Sequence, residues 1–250
     1  MKLFMKGKKN ILAIFIVIAS MILLITSLYV LIKNQLEDKA NNELVEQLIE
    51  DVIVEKEGED ESTQEDTLSI DWNKLKEINE DIIAWIKIEG TNINYPILKD
   101  KDLYYLKHSY NKQWNSNGSI FVMNNRPFEE NKTTVYGHNM RNGIMFSELG
   151  KYLDEDFLNK HRNFDIYTQE KHYKATVFSC YSIGVNEEEN NIKNLDFDEE
   201  VQYYKKKSKF KVQDVENIKK IVKLSTCSYL NNRRIPTDQR YFVIAKIEEI

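Results

Sequence analysis

The first long hydrophobic segment of the chain covers residues 11–32 and contains no charged side chain. A helix of this length can cross the hydrocarbon layer of a membrane, which is roughly 30 Å thick. Four lysines precede the segment and the first acidic residue is Glu37, so the positive-inside rule predicts a cytoplasmic N-terminus at residues 1–10. We therefore predict a single-pass membrane anchor with the rest of the chain outside the cell. A cleaved signal peptide is the alternative, but its apolar region would be shorter.

Beyond this segment the pattern becomes helical and then polar. Apolar residues recur every four positions between Leu36 and Val52, which predicts a helical stalk with one apolar stripe. Residues 55–67 are acidic and nearly free of apolar side chains, which predicts a solvated linker. Residues 33–67 should therefore separate the anchor from a folded domain at residues 68–250.

The folded domain opens with a helix signal at Asp71, a good N-cap. Apolar residues then follow at helical intervals, at Trp72, Leu75, Ile78, Ile82 and Trp85. Seven runs rich in β-branched and aromatic residues come next, at 84–88, 118–122, 133–136, 163–168, 173–183, 218–226 and 241–247. Such a series predicts a mainly β domain, either a barrel or a sandwich, with an amphipathic helix at its start.

One stretch interrupts the strands. Residues 194–210 place Phe197, Val201 and Tyr204 on one helical face, and Asp196 or Asp198 can cap its start. We therefore predict a helix between two late strands.

The charge of the exterior part argues against one class of partner. The chain has 35 basic and 40 acidic residues, and five lysines but no acidic residue lie in the anchor region, which leaves 30 basic residues against 40 acidic ones. A surface with this excess of negative charge should repel nucleic acid. We predict no nucleic-acid partner.

The two cysteines, Cys180 and Cys227, lie within and at the end of strand-like runs. Thiols outside the cytosol tend to form disulfides, whereas small free cysteines are also common in protein cores. A reactive cysteine would need a base or a cation nearby, because the thiolate is the nucleophile. From the residue pattern alone, these roles stay open.

His138 is the histidine best placed to act on such a cysteine. It follows the apolar run TTVYG and opens the loop HNMRNG, so its side chain should lie at the end of a barrel or sheet. Cys227 also ends a strand, and two strand ends can lie side by side. His161 and His172 have charged neighbours and are predicted to be solvated, while His108 fits either reading.

Five segments carry a family resemblance. They read INEDIIAWIKIEGTNINYPIL, GSIFVMNNRPF, TTVYGHNMRNGIMFSELGKY, LSTC and RYFVIAK. In this order they closely resemble segments of the class B sortases, the membrane-anchored cysteine transpeptidases of Gram-positive cell surfaces. The resemblance covers residues 70–248 and implies an eight-stranded β-barrel with N-terminal helices and a helix inserted between two late strands.

The resemblance also implies roles for single residues. Cys227 is the expected nucleophile, His138 the proton-transfer partner and Arg240 the cationic stabiliser. Asp102, Ile192 and Ser225 match positions that line the peptide groove of the family. The chain departs from the family in the stretch SYLNNRRIPTDQ, which is longer than in relatives and contains Arg233 and Arg234 as rival cations. Arg240 is preferred because it opens the strand-like run RYFVIAK.

The family reaction implies two partners. One is the C-terminal sorting signal of an exported protein, cleaved after threonine, with signals resembling Asn-Pro-Gln-Thr-Asn or Pro-x-Thr-Gly as the alternatives. The other is a peptidoglycan amine that receives the acyl group. A surface hydrolase and a catalytically silent peptide-binding barrel are the rival functions.

Other conspicuous residues are interpreted as structural. We predict no cofactor and no metal, and we interpret the acidic run Glu187, Glu188 and Glu189 as a solvated loop. The three tryptophans, Trp72, Trp85 and Trp114, are interpreted as packing residues rather than as a carbohydrate-binding platform.

Overall fold

The computed structural model describes residues 2–54, 68–212, 215–230 and 237–250. The predicted linker and the loop arginines Arg233 and Arg234 lie outside the described residues. The chain divides into two compact units, Met1–Ile49 and Glu50–Ile250.

The N-terminal unit is helical. Helix α1, Lys2–Val52, runs without interruption through the predicted anchor and the predicted stalk. The stretch Ala13–Val52 contains a segment that is long and apolar enough to cross a membrane, and no residue of that segment is buried. By length and composition, this helix can serve as a membrane anchor.

The second unit contains the remaining elements. A short antiparallel pair, β1 (Ile53–Val54) and β2 (Ser69–Ile70), precedes helix α2 (Trp72–Ile78). The elements that follow in chain order are β3 (Ile82–Lys87), β4 (Asn94–Lys99), β5 (Ile120–Val122), β6 (Lys132–Tyr136), α3 (Glu155–Lys160), β7 (Asn163–Thr168), β8 (His172–Gly184), α4 (Val185–Ile192), α5 (Phe197–Lys207), β9 (Ile221–Cys227) and β10 (Gln239–Glu249).

The predicted entry helix is shorter than its apolar spacing indicates. The carboxylate of Asp71 accepts hydrogen bonds from two backbone amides of the first turn of α2, as the N-cap prediction requires. The helix ends at Ile78 because Asn79 adopts an extended backbone. Ile82 and Trp85 belong to β3, where both are fully buried. A buried strand places apolar residues on both faces, so their spacing also fitted a helix.

Eight strands close into a barrel in the order β10-β8-β7-β3-β4-β5-β6-β9. The pairs β4–β5 and β6–β9 are parallel, and the other pairs are antiparallel. This confirms the predicted barrel. Its eighth strand is β4, which was absent from the seven predicted runs because Pro96 and polar residues interrupt its pattern.

Two helices, rather than one, connect β8 to β9. Helix α5 confirms the predicted insertion, and Asp196 forms a capping box with Glu199 at its start. Helix α4 was not predicted, since its residues are mostly polar. The interpretation of Glu187–Glu189 as a solvated loop was wrong for Glu188, which is 2% exposed within α4.

Two predictions of exposure were also wrong. His161 is 5% exposed, because its Nδ1 lies 2.8 Å from the carbonyl oxygen of Glu89 and its ring packs on Phe157. Trp114, which was interpreted as a packing residue, is 64% exposed and lies in the loop between β4 and β5. For His161, the charged neighbours in the sequence did not indicate exposure, because the turn after α3 directs this one side chain inward.

Both cysteines are free thiols. Cys180 lies opposite Val243 on one side of β10, whereas Cys227 lies opposite Arg240 on the other side. The two are therefore separated by strand β10 and by three residues along it, so no disulfide joins them.

Candidate active site

The parallel pairing of β6 and β9 brings His138 to Cys227. Tyr136 pairs with Ser225 in this register, and both strands run in the same direction. His138 and Cys227 each follow that pair by two residues. Two residues that are far apart in the sequence therefore meet at one edge of the barrel.

Strand β10 adds the third group from the other side of β9. Its antiparallel register places Arg240 directly opposite Cys227. His138, Cys227 and Arg240 thus form a row across the ends of three adjacent strands, and all three are partly exposed. We call this row the catalytic row, after the role that the sequence analysis predicts for it.

Side chains alternate between the two faces of a strand, so every second residue behind the catalytic row faces the same way. These residues line a cavity of about 470 Å³. The lining residues that follow this alternation are Lys132, Thr134, Tyr136, Lys223, Ser225, Cys227, Arg240 and Phe242. Phe121 of β5 and Thr226 of β9 also line the cavity. Helix α4 contributes one wall, which consists of Val185, Glu188, Glu189 and Ile192.

Gly137 explains the tight turn before His138. A Cβ atom at this position would lie 2.4 Å from Cδ1 of Ile120 and 2.8 Å from the ring of Phe146. The carbonyl oxygen of Gly137 accepts a hydrogen bond of 2.7 Å from the Thr226 hydroxyl. The missing side chain therefore lets the end of β6 pack closely before the chain turns into the His138 loop.

The His138 ring has one nitrogen held by the backbone. Its Nε2 lies 2.8 Å from the carbonyl oxygen of Leu106. Because a carbonyl can only accept, we infer that Nε2 carries a proton and donates it to this bond. Nδ1 is then the ring nitrogen that can take up and release a proton.

The backbone of Cys227 is also fixed. Asn139 donates from its side-chain amide to the Cys227 carbonyl oxygen at 2.7 Å, and Ser228 donates from its backbone amide to the Gln239 carbonyl oxygen at 2.8 Å. Asn139 thereby joins the histidine loop to the cysteine strand. Sequence reasoning missed this residue, although it follows His138 directly in the segment YGHNM.

Arg240 keeps donors available for a ligand. Its Nη1 donates to the carbonyl oxygens of Thr237 at 2.8 Å and Gln239 at 2.9 Å. A guanidinium has five N–H donors, so Nε and Nη2 remain for other partners. Within the part of the chain that the structure describes, no carboxylate forms an ion pair with Arg240.

The other three predicted site residues differ in their positions. Ser225 is buried and lines the cavity two residues before Cys227 on β9, and Ile192 lines it from α4. Asp102 is exposed and does not line the cavity, whereas its neighbour Leu103 does. The structure thus brings five of the six predicted residues to one cavity.

The far end of the cavity is charged, which the sequence analysis did not anticipate. Lys223 Nζ lies 2.5 Å from Glu188 Oε1, and Lys132 Nζ lies 2.7 Å from Glu200 Oε1. Tyr204 donates to Glu200. We call Lys132, Glu188, Glu200 and Lys223 the charged floor. The sequence feature that could have indicated this cluster is Lys223, a lysine within the apolar run of β9.

Burial shifts the pKa of several side chains at or beside the charged floor. It lowers the pKa of Lys223, although the neighbouring Glu188 partly opposes the effect. Burial raises the pKa of Tyr181 and Tyr204 far above the ordinary value, and the carboxylates of Glu188 and Glu200 add to the rise. These tyrosines therefore stay protonated and act as hydrogen-bond donors.

The described residues contain no group of three or more His, Cys, Asp or Glu side chains that could hold a metal ion. A thiol beside an imidazole and a guanidinium can perform acyl transfer without such an ion. The thiolate attacks a carbonyl, the imidazole handles the proton and the cation stabilises the oxyanion. The fold and the row together define a candidate cysteine acyl-transfer site.

Comparison with known proteins identifies the family. The sortase domain family matches residues 86–248, so the chain belongs to the sortase family. It is 36% identical to sortase B of Listeria monocytogenes over 164 residues, which cover 61% of this chain and 65% of that protein, just under two thirds of it. It is 29% identical to sortase B of Staphylococcus aureus over 235 residues, which cover 89% of this chain and 91% of that protein.

Solved structures agree with this assignment. The X-ray structure of Clostridium perfringens sortase B matches with a TM-score of 0.63 and 32% identity, covering 70% of this chain and 98% of that chain. The relatives are sortase B proteins, which places this chain in class B of the family. Sortase B enzymes are cysteine transpeptidases, and the resemblance found in the sequence is confirmed.

Proposed function

We propose that this chain cleaves the C-terminal sorting signal of an exported protein after threonine and transfers the new acyl end to a peptidoglycan amine. The observation that carries the proposal is the catalytic row. It places a thiol between an imidazole and a guanidinium among the residues that line a cavity of about 470 Å³. Membership of the sortase family supports the same reaction.

In the first half of the reaction, the Cys227 thiolate attacks the threonine carbonyl carbon. A carbon–sulfur bond forms while the peptide carbon–nitrogen bond breaks, which gives a thioester. His138 holds the proton that leaves the thiol and donates it to the departing amine. The hydrogen bond of His138 to the Leu106 carbonyl oxygen orients the ring for this transfer.

Arg240 has the donors for the charge that develops on the carbonyl oxygen. Two of its N–H groups are engaged by backbone carbonyls, which fix the guanidinium beside Cys227 and leave the others for the oxyanion. Preorganised donors stabilise the transition state without having to reorient during the reaction.

In the second half, an amine attacks the thioester carbon and the Cys227 sulfur leaves. An amide bond replaces the carbon–sulfur bond, and the thiol is restored for another cycle. Water in place of the amine would release an acid, so hydrolysis is the competing outcome.

The cavity gives places for the peptide. Ser225 and Ile192 line it from the strand side and the helix side, so we assign them to peptide binding. Asp102 lies at the edge, where it can reach a peptide only outside the cavity.

A transfer assay tests the proposal. We expect incubation with peptides carrying Asn-Pro-Gln-Thr-Asn or Pro-x-Thr-Gly, together with diaminopimelate or triglycine, to give an amide product detected by mass spectrometry. Omission of the amine should leave only slow hydrolysis. A product that is always the acid, at a rate independent of the amine, would support the hydrolase alternative.

The same proposal includes a location. Helix α1 is long and apolar enough to anchor the enzyme, and the lysines before it favour a cytoplasmic N-terminus. Protease added to intact cells without their wall should then degrade residues 68–250. Protection of this domain would contradict the orientation.

A further inference from the structure

Helix α4, which forms one wall of the cavity, is held in an unusual way. Its sequence VNEEENNI is mostly polar, and its only fully buried side chain is Glu188. A surface helix is ordinarily held by an apolar stripe. In α4 a carboxylate occupies the buried position instead, while Ile192 at the other end is partly buried.

Glu188 joins α4 to three other elements. Its Oε1 accepts from Lys223 of β9 at 2.5 Å and from the Tyr181 hydroxyl of β8 at 2.6 Å. Its Oε2 accepts from the Tyr203 hydroxyl of α5 at 2.9 Å. The carboxylate is thus the point at which helix α4, helix α5 and the barrel meet.

Lys223 links this point to the catalytic row. It lies four residues before Cys227 on β9, on the same face, which corresponds to roughly 13 Å along a strand. Its ammonium group lies 4.0 Å from the ring centroid of Phe242 and 5.0 Å from that of Tyr204. Contacts on several sides therefore hold the Lys223 side chain in place. Its position on β9 in turn fixes the position of Glu188 on α4.

The other polar contacts of α4 lie at its N-terminus or on its exposed side, where Asn191 donates to the Tyr203 hydroxyl at 3.2 Å. Among the described residues, no side chain caps its N-terminus, where the Val185 backbone amide donates to the Asp238 carbonyl oxygen at 2.9 Å. Glu187 and Lys207 form an exposed ion pair of 3.8 Å, and exposed pairs of this kind contribute little. The Glu188–Lys223 pair is thus the main polar link between the α4 wall and the strand that carries Cys227.

We infer that Glu188 and Lys223 are positioning residues that set the spacing between the α4 wall and strand β9, and hence the affinity for the sorting peptide. This inference rests on the proposed function. The peptide chain would lie between α4, with Ile192, and β9, with Ser225, so a displaced wall would lose contact with the peptide. The chemistry at Cys227 would persist.

A buried ion pair suits this task because its geometry is directional. Apolar packing alone lets a helix slide, whereas three hydrogen bonds to one carboxylate fix its distance and rotation. Replacement of both charges by neutral groups is often tolerated, while removal of one leaves an unpaired charge that destabilises the fold.

The test therefore uses the double variant Glu188→Gln/Lys223→Met in the full chain. The glutamine introduced on α4 keeps one oxygen that can accept from the Tyr181 hydroxyl, and its NH2 group can donate to the Tyr203 hydroxyl oxygen. The methionine introduced on β9 fills a volume similar to that of the lysine. Glu187→Gln is the matched control, since it makes the same change at the neighbouring position of α4, in an exposed ion pair. The reaction rate of Cys227 with iodoacetamide checks that the catalytic row is intact.

We expect the double variant to have a KM at least about tenfold higher than that of the parent enzyme, and a kcat within about threefold of the parent value. Both constants are measured with a sorting peptide that the parent enzyme turns over. Amide hydrogen exchange within residues 185–193 should also accelerate at least about tenfold, while exchange within β9 stays unchanged. The control should match the parent in every measurement.

Two results would overturn the inference. One is a folded double variant with parental KM and parental exchange in α4. The other is a loss of kcat at unchanged KM, which would assign the pair to the chemical step. If the parent itself turns over neither peptide, the proposed function fails. An active parent with an unaffected double variant would contradict only the positioning role.

Discussion

The two ends of the cavity differ in how their polar groups are held. At the catalytic row, backbone carbonyls orient His138 and Arg240, and each side chain keeps donors or acceptors for a ligand. At the charged floor, side chains satisfy one another, as when Glu188 accepts from a lysine and two tyrosines.

This difference separates residues that can react with a substrate from residues that stabilise the fold. A group that reacts must have an orientation that the fold imposes and a free atom that faces the substrate. A buried charge whose partners are all protein atoms has little capacity left for a ligand, so it stabilises geometry instead. Variants at the catalytic row should therefore lower kcat, whereas variants at the charged floor should raise KM.

The largest effect in this comparison should come from Arg240. Arg240→Lys should remain folded but lose about 10² to 10³ in kcat, roughly 3 to 4 kcal/mol, because a lysine cannot present the planar fork of donors. Peptide cleavage measures the rate, and circular dichroism measures the fold.

Arg233 and Arg234 are the controls for this prediction. They lie in a polar stretch outside the described residues, and we expect each alanine variant to change the rate by less than about tenfold, under ~1.4 kcal/mol. If one of them is essential and Arg240 is dispensable, the longer loop supplies the oxyanion donor.

The next effect concerns the two thiols. Burial raises the pKa of Cys180 to about 11, so at pH 8 only a small fraction of this thiol is ionised. We expect iodoacetamide to alkylate Cys227 at least about a hundredfold faster than Cys180 in the folded protein. Labelling of Cys180 should rise with pH, since its thiolate fraction grows toward that pKa.

Peptide mapping of the alkylated protein measures both sites, and labelling in denaturant is the control in which the two rates converge. Equal labelling in the folded protein would show that Cys180 is accessible. It would contradict the predicted difference in reactivity between Cys180 and Cys227.

The smallest effect is steric. Gly137→Ala should lower the free energy of unfolding by about 1 to 3 kcal/mol, because the added methyl group has no space between Ile120 and Phe146. Thermal or urea denaturation measures this loss. Parental stability in Gly137→Ala would show that the contacts with Ile120 and Phe146 relax at no cost to the fold.

Much of the catalytic row could be predicted from the sequence. Cys227 ends an apolar run and His138 follows one, and motif resemblance assigned both to one site together with Arg240. The local pattern could not show that β6 and β9 pair in parallel, which is the reason they meet. Long-range register depends on the whole barrel rather than on any one segment.

The charged floor could not be predicted in the same way. Glu188 stands in a run of three glutamates, where local composition indicates solvent, and its burial depends on partners from three other elements. Ile82 and Trp85 show the same limit, because apolar spacing cannot separate a helix from a strand that is buried on both faces.

The central claim is that Cys227 forms the acyl-enzyme. Intact-mass spectrometry of the parent enzyme with a small library of sorting peptides, followed by peptide mapping, tests it most directly. We expect a mass increase equal to the acyl fragment ending in threonine, located on Cys227, retained in Cys180→Ala and absent in Cys227→Ala. An adduct on another residue, or undiminished turnover by Cys227→Ala, would contradict the account.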